Sequence, residues 1–404
     1  MSTDLYDIAI IGGGLVGCSL AVALSAQRKR VALIEAFAVR DEAPSWDERC
    51  IALNAASRRI LESMDLWDAL APQATPILST HISERGRFGA ARFTAEPAGL
   101  PALGYNTPLR AINSLLWSRA RAAGVTVHCP ARLDGTQVLA DHVDVLLRAD
   151  ADAEPTSLHT RLLVAADGAR SAVREQLGIK AQTRDYGQSA LVTAVRPQHA
   201  HGAVAYERFL NTGPLALLPK PDDAEGHACS LVWTLPSEQI ADYVAMDEAT
   251  FLARAQTEFG ERVGRFLAVG RRQSYPLTRV MSEQLRAPRT VFIGNAAQSL
   301  HPVAAQGFNL GLRDAATLAE LLDDAADPGT DAVLMEYESR RTQDRERVSA
   351  FTDRLVRLFS NRLPGLSGLR HLGLLFLELD TPARDGILRQ NLGFGAALPL
   401  IARH

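Results

Sequence analysis

The stretch that most constrains the fold lies near the start: Asp7-Ile-Ala-Ile-Ile11, then Gly12-x-Gly14-x-x-Gly17, then a run from Leu15 to Ala26 rich in Ala, Leu and Ser. A short apolar run feeding spaced glycines and then a helical stretch leaves few architectures open. Val31-Ala-Leu-Ile34 is a second run of strand length, ending at Glu35. Together they make a βαβ unit of about thirty residues, whose strands read as continuous apolar runs because they are buried on both faces. One glycine makes the tight turn, one lets backbone approach a pyrophosphate, and one lets helix and strand pack closely. The helix start offers unpaired N–H groups and about half a positive charge. Glu35 can accept hydrogen bonds from both hydroxyls of a ribose. The spacing predicts a dinucleotide site, against a purely structural glycine turn, and does not distinguish a flavin from a nicotinamide nucleotide.

The same glycines decide how to read the uncharged run from Ile8 to Ala26, which is long enough to suggest a membrane span. Asp4 and Asp7 precede it where a signal peptide needs basic residues, so a buried strand and helix are expected, with the cytoplasm as default compartment. The 43 basic against 46 acidic residues leave a net charge of -3, which argues against nucleic acid as a partner. Cys18, Cys50, Cys129 and Cys229 are scattered with no CxxC pair. They read as buried small hydrophobes, with neither disulfide nor metal site expected.

Along the chain, a loop is expected over Arg40–Glu48, a helix over Ala55–Leu70 and irregular β structure over Ala71–Ala102. A helix over Arg110–Ala123, a strand over Val125–His128 and a meander over Asp134–Leu163 follow. A second lobe should contain strands Leu191–Val195, Leu215–Leu218 and Cys229–Leu235 and a helix near Glu248–Glu258. Val291–Ile293 reads as a strand, Gly307–Asp324 as a helix, and Val333–Arg389 as helical and basic-amphipathic.

Two further segments carry chemistry. Leu162-Leu-Val-Ala-Ala-Asp167-Gly168-Ala-Arg-Ser171 runs a strand into Asp-Gly and a Ser-initiated helix, which by itself is an ordinary helix cap. Gly294-Asn295-Ala-Ala-Gln298-Ser-Leu-His301-Pro302-Val-Ala-Ala-Gln306-Gly307-Phe-Asn309-Leu310-Gly311-Leu-Arg-Asp314 places glycines, Pro302 and two asparagines where a helix begins, again an anion-stabilising arrangement.

Together the three segments resemble the class A flavoprotein aromatic hydroxylases, the family of para-hydroxybenzoate hydroxylase. The Asn295-Ala-Ala-Gln298 form, with His301-Pro302, Gly213-Pro-Leu-Ala-Leu-Leu-Pro219 and Leu377-Glu-Leu-Asp-Thr-Pro-Ala-Arg-Asp385, is similar to its ubiquinone-pathway branch, the UbiH family. The usual motif begins with Asp and ends with His; here amides stand at both places, and an amide still hydrogen-bonds a ribityl hydroxyl.

The resemblance implies an α/β fold: a Rossmann-type FAD-binding domain with an inserted mixed β-sheet substrate lobe and a helical C-terminal region. FAD-binding segments are expected over 1–75, 104–185 and 275–330, the substrate lobe over 76–103 and 186–274, and the helical region over 331–404. Gly12, Gly14, Gly17 and Glu35 would hold the ADP half of FAD. Asp167 and Gly168 would lie by the pyrophosphate and help admit NAD(P)H. Gly294 and Asn295 would meet the ribityl chain, Gln306 would also touch the cofactor, and the backbone around Gly307, Asn309 and Leu310 would face the flavin ring. Arg49 and Arg110 match positions of polar cofactor contacts, although surface arginines at helix starts are common.

The implied reaction is hydroxylation of a polyprenylated phenol, with NAD(P)H as electron donor and O2 as co-substrate, through a C4a-hydroperoxyflavin. The strand Leu215–Leu218 and the loop at His301-Pro302 would exclude water. His301 is the nearest candidate base, against a structural His beside Pro302. Arg354–Arg362 and Leu369–Leu379 read either as helices packed with snorkelling arginines or as a surface for a ubiquinone-biosynthesis complex or the inner membrane. Rival readings are a flavin-dependent reductase of a prenylated substrate and a non-catalytic flavin-binding component of such a complex.

Overall fold

The computed structural model describes residues 5–39, 45–87, 89–150, 153–301, 306–360, 386, 388–395 and 399. Strand Leu5–Ile11 runs through the centre of the first sheet, parallel to Val31–Ile34 on one side and to Thr156–Ala165 on the other. Thr126–His128 and Thr290–Phe292 extend the parallel arrangement outward on the two sides. The chain therefore leaves the first strand in one direction and later returns on its opposite side. A crevice opens at the carboxyl ends of two strands whose connections diverge, the usual place for a nucleotide in such sheets. Ile8, Ala9, Ile10, Leu33 and Leu162 to Ala165 are fully buried, as continuous apolar strands require. Helix Leu15–Leu24 packs against helices Leu109–Ala122 and Gln306–Leu322.

The second sheet has nine strands among the described residues, ordered from Gln298–Ser299 at one edge to Ala90–Thr94 at the other. One face is covered by helix Glu248–Phe259, whose Phe251, Ala255 and Phe259 meet Leu215, Leu217, Leu231 and Trp233. The other face turns toward the first half, where Ala91 and Phe93 pack with Ala55, Leu103 and Leu392. A three-stranded sheet, Cys50–Asn54, Gly104–Pro108 and Thr75–Ile77, bridges the halves. Its Asn106 Nδ2 donates to Pro219 O at 2.8 Å, and its Ala52 O accepts from Asn309 Nδ2 at 2.9 Å.

Several local expectations change. Ala55–Leu70 is two helices, Ala55–Ser63 and Trp67–Leu70, because Asp65 adopts φ 54° and its neighbour Leu66 N–H returns to Leu61 O at 2.9 Å. Asp is among the residues that tolerate this left-handed conformation. Strand Val204–Leu210, absent from the sequence reading, lies inside the second sheet. Cys50 and Cys129 are only half-buried, while Cys18 and Cys229 are buried and all four are free. Helix Asp331–Ser360 is a single element of 30 residues; most of the C-terminal stretch from 361 onward, including Leu369–Leu379, lies outside the described residues.

That long helix is fastened by buried charge. Asp344 Oδ2 accepts from Arg313 Nε at 2.9 Å and pairs with Arg341 at 2.8 Å, while Arg341 Nε donates to Asp314 Oδ1 at 2.7 Å. Burial alone would raise the Asp344 carboxyl, but Arg313 and Arg341 outweigh it and hold it below the usual carboxylate range. Its contribution is thus present at neutral pH and is lost as pH falls through that lowered value. Removing one partner of a buried pair leaves an uncompensated charge, so Asp344→Ala should lower unfolding free energy by about 3–5 kcal/mol in urea denaturation at pH 7. The deficit should shrink on acidification, and equal stability of variant and wild type at pH 7 would refute the assignment.

Candidate functional site

The crevice beside Leu5–Ile11 is built from three separated stretches. Gly12 has φ +108°, its N–H donates to Ile34 O at 2.8 Å, and a Cβ there would lie 2.4 Å from Ala166 O. At Gly17 a Cβ would lie 1.9 Å from Gly12 O. At Gly14, by contrast, a Cβ would meet nothing within 4 Å. Two glycines are therefore demanded by the protein itself, and the third borders open space at the start of a helix. Glu35 lines the same lip: its carboxylate accepts from Gly13 N at 2.7 Å and from Phe37 N at 2.9 Å.

Asp167 follows strand Thr156–Ala165 into this crevice. Its Oδ2 accepts from Val173 N at 3.1 Å, and Ser171 caps the next helix through Arg174 N, also at 3.1 Å. Burial pushes the Asp167 carboxyl above its ordinary range, against these hydrogen bonds. Its buried Oδ1 has no hydrogen-bond partner among the described residues. Gly168 continues the turn at φ +87°.

The third stretch closes on the first. Gly294 has φ +57°, and Cβ atoms at Gly294 and Gly311 would both press on Val16, at 3.0 and 2.6 Å. Asp314 Oδ2 accepts from Gly294 N at 3.0 Å and from Gln298 Nε2 at 2.6 Å. Asn295 projects, exposed, from the turn so held. Helix Gln306–Leu322 starts beside it; Gly307 borders open space, and the buried Oε1 of Gln306 lacks a partner among the described residues. Asn309 turns away, its Oδ1 accepting from Asn54 N at 3.0 Å, and Leu310 is fully buried. These two fix the helix start instead of presenting side chains to the crevice.

His301 is 1% exposed and meets Tyr186 edge-on, with ring centroids 5.1 Å apart. Burial pushes its imidazole down to about 4, so it is neutral at physiological pH. Pro302 lies outside the described residues. Arg49 is exposed, its guanidinium 5.0 Å from the Tyr275 ring centroid, and Arg110 donates to Glu48 at 3.0 Å and Gln73 at 3.2 Å. Of strand Gly213–Pro219, Leu215 and Leu217 point into the helix-covered core, while Ala216 and Leu218 are half-buried on the face toward the first half. Half of that strand therefore cannot serve as a wall of the crevice.

Sequence reasoning missed the pairing of Gln298 with Asp314: both stood in the motif, but sixteen residues of separation give no sign of contact. It also missed a group of three potential metal ligands remote from the crevice, His142 just before strand Val143–Arg148, Asp144 within it and His159 on the neighbouring strand, where both imidazoles lie against one carboxylate oxygen.

An open glycine beside each of two helix starts, the lone Asp167 Oδ1 and Gln306 Oε1, and the Glu35 carboxylate fit an extended dinucleotide such as FAD. Gly14→Ala should leave the thermal stability of the cofactor-free protein nearly unchanged yet weaken FAD binding at least tenfold in a fluorescence titration. Gly17→Ala should unfold or strongly destabilise the chain before any cofactor is added, because backbone cannot give way by so much. Equal behaviour of the two variants would contradict the division of roles.

The family model for the FAD binding domain matches residues 5–352. The chain is 36% identical to ubiquinone hydroxylase UbiL of Rhodospirillum rubrum over 96% of this chain and 89% of that protein. It is 32% identical to the 3-demethoxyubiquinol 3-hydroxylase of Escherichia coli, over 98% of this chain and all of that one. Among solved structures, p-nitrophenol 4-monooxygenase PnpA of Pseudomonas putida superposes with a TM-score of 0.78 at 18% identity, covering 97% of this chain and 99% of that chain, which shows a common fold. With the crevice geometry and these matches together, the chain belongs to the FAD-binding-domain family of flavin monooxygenases, in its ubiquinone-hydroxylase branch.

Proposed function

We propose that this protein hydroxylates the aromatic ring of a polyprenylated phenol in ubiquinone biosynthesis, using FAD, NAD(P)H and O2. The observation that carries the reading is the convergence of the Gly12–Gly17 turn, Asp167 and the start of helix Gln306–Leu322 on one crevice. Gly12, Gly14, Gly17 and Glu35 hold the ADP half, Asp167 and Gly168 border the pyrophosphate, and Gly294 and Asn295 meet the ribityl chain. Gln306 and Gly307 face the ring, with Asn309 and Leu310 as its support, and Arg49 and Arg110 border the entrance.

Bound FAD supplies electrons from NAD(P)H and an electrophilic oxygen, which no side chain can provide. The residues of the chain set the conditions. The N-terminus of helix Gln306–Leu322 would stabilise negative charge on a ring held beside it by about 1 kcal/mol, or ~2 where buried. The half-buried face carrying Ala216 and Leu218 keeps water from the reacting oxygen. His301, neutral and enclosed, positions its surroundings and is too weak a base to be the group that titrates the reaction near neutrality.

Among the described residues no helix is long and apolar enough to cross a membrane. A prenyl tail itself partitions into lipid at ~0.8 kcal/mol per buried CH2, so we place the enzyme in the cytoplasm, working at the inner-membrane surface, in contact with other enzymes of the pathway.

Purified protein loaded with FAD should consume oxygen with NADH or NADPH when 2-geranylphenol is added, and yield a catechol or hydroquinone by mass spectrometry. Reduced-nucleotide oxidation without oxygen uptake would support a reductase instead. In the same preparation, His301→Asn should leave the pH dependence of turnover between 6 and 8 unchanged. Because burial lowers the His301 pKa, its neutral form stabilises the fold above pH 6.5 and that stability drains away toward pH 4, by up to about 3 kcal/mol. The variant should lack this acid-side loss in denaturation experiments.

A further inference from the structure

Strand Val204–Leu210 carries alternating chemistry. Tyr206 meets Phe259 edge-on at 5.6 Å between centroids, and Arg208 donates to Phe259 O at 2.7 Å, so both side chains lie on the helix-covered face of the second sheet. Successive strand residues point to opposite faces, which puts Glu207 on the other face. There it stands opposite Ala216 on one neighbouring strand and Ile82 on the other, with Val232 beyond Ala216. All four are half-buried, whereas Leu215 and Leu217 on the far side are fully buried.

This half-buried face is the one turned to the flavin half. Ile82 packs against the cluster of Ala55, Phe93 and Leu103, and Ser230, on the same face, meets Asn106 Nδ2 at 3.3 Å. Glu207 is thus a carboxylate in an apolar stretch of wall. No hydrogen bond or ion pair engages it among the described residues, and burial by itself pushes its carboxyl up to about 7. A half-buried carboxylate with no protein partner costs stability unless something else uses it.

We propose that Glu207 receives the phenolic hydroxyl of the substrate, accepting its O–H hydrogen bond and taking its proton as the ring is hydroxylated. The proposal rests on the hydroxylase reading above. The phenol O–H bond breaks as the ring carbon bonds to the electrophilic oxygen that O2 would supply through bound FAD. The O–O bond to that oxygen breaks, and its electron pair leaves with the second oxygen atom, which takes up protons and ends as water. The electron pair released passes through the ring into that new C–O bond, and the proton goes to the Glu207 carboxylate. When the ring carbon then loses its hydrogen to water and aromaticity returns, Glu207 gives the proton back to the phenolic oxygen and ends as it began. Ile82, Ala216 and Val232 beside it suit an alkylated ring and keep other proton acceptors away.

Two variants of the FAD-loaded enzyme test this with 2-geranylphenol and its methyl ether, 2-geranylanisole, which has no O–H. By calorimetric titration the wild type should bind the phenol about tenfold more tightly than the ether, the size of one hydrogen bond to a charged acceptor. Glu207→Leu should bring that ratio close to one. Glu207→Gln keeps an acceptor that cannot take a proton. It should hold the phenol within about threefold of wild type while kcat falls at least ~100-fold, and the rise of rate with pH near 7 should disappear. Glu207→Asp should restore part of that rise. An unchanged phenol-to-ether ratio in Glu207→Leu, or wild-type turnover and pH profile in Glu207→Gln, overturns the proposal. Should the wild type bind the phenol but not oxidise it, the hydroxylase reading fails, and the binding ratio still decides whether Glu207 recognises the hydroxyl. A third readout needs no substrate: the Tm of wild type relative to Glu207→Gln should drop from pH 5 to pH 8, because a carboxyl with a raised pKa destabilises the fold once it ionises.

Discussion

One buried carboxylate, Asp314, decides where the crevice ends. One of its oxygens takes the Gly294 N–H and the Gln298 amide, and the other takes Arg341 Nε. A carboxylate suits this because each oxygen accepts from more than one direction. The turn at Gly294, the helix that starts at Gln306 and the long helix Asp331–Ser360 thereby share a single point of attachment. Arg313 and Asp344 complete two cations and two anions, with side chains 2–5% exposed. An apolar cluster of equal volume could match such a group in stability. It would not hold the Gly294 N–H in one direction, and that direction sets the path of Asn295.

The flavin half and the second sheet make different demands on their residues. In the first, backbone must come close to backbone at Gly12 and Gly17, where Cβ atoms would collide, while Gly14, Gly168 and Gly307 border open space. In the second, alternation divides each strand between a dry core under helix Glu248–Phe259 and a face left half-buried toward the flavin half. The bridging sheet joins the two through neighbouring positions: Ala52 O accepts from Asn309 of helix Gln306–Leu322, and Asn106, paired with Ala52, donates to Pro219 O of the second sheet.

The glycine fingerprint, the parallel strands and the helices at Leu109 and Gln306 were legible because each depends on neighbours within a few residues. Strand Val204–Leu210 was not. Glu207-Arg208 interrupts its apolar pattern, and only the sheet shows that these two residues belong on opposite faces. The break at Asp65 was likewise hidden, since an aspartate inside an apolar helical pattern does not announce a left-handed turn. Asn309 and Leu310 were expected to offer backbone to the flavin ring; the motif gave no sign that the Asn309 side chain reaches Asn54 N and Ala52 O or that Leu310 is fully buried.

By itself, the order of residues determined the βαβ start and a dinucleotide site, because glycine spacing and apolar runs act through local geometry; the flavin and the family came from the resemblance carried by three separated segments. Tertiary structure alone decided which groups look into the crevice. It turned the Asn309 side chain away, enclosed His301 until it is neutral, and left Glu207 without a partner among the described residues on the wall facing the flavin half. Burial and the identity of the facing neighbour come from chain segments far apart in sequence, and those two quantities set the charge that each side chain carries.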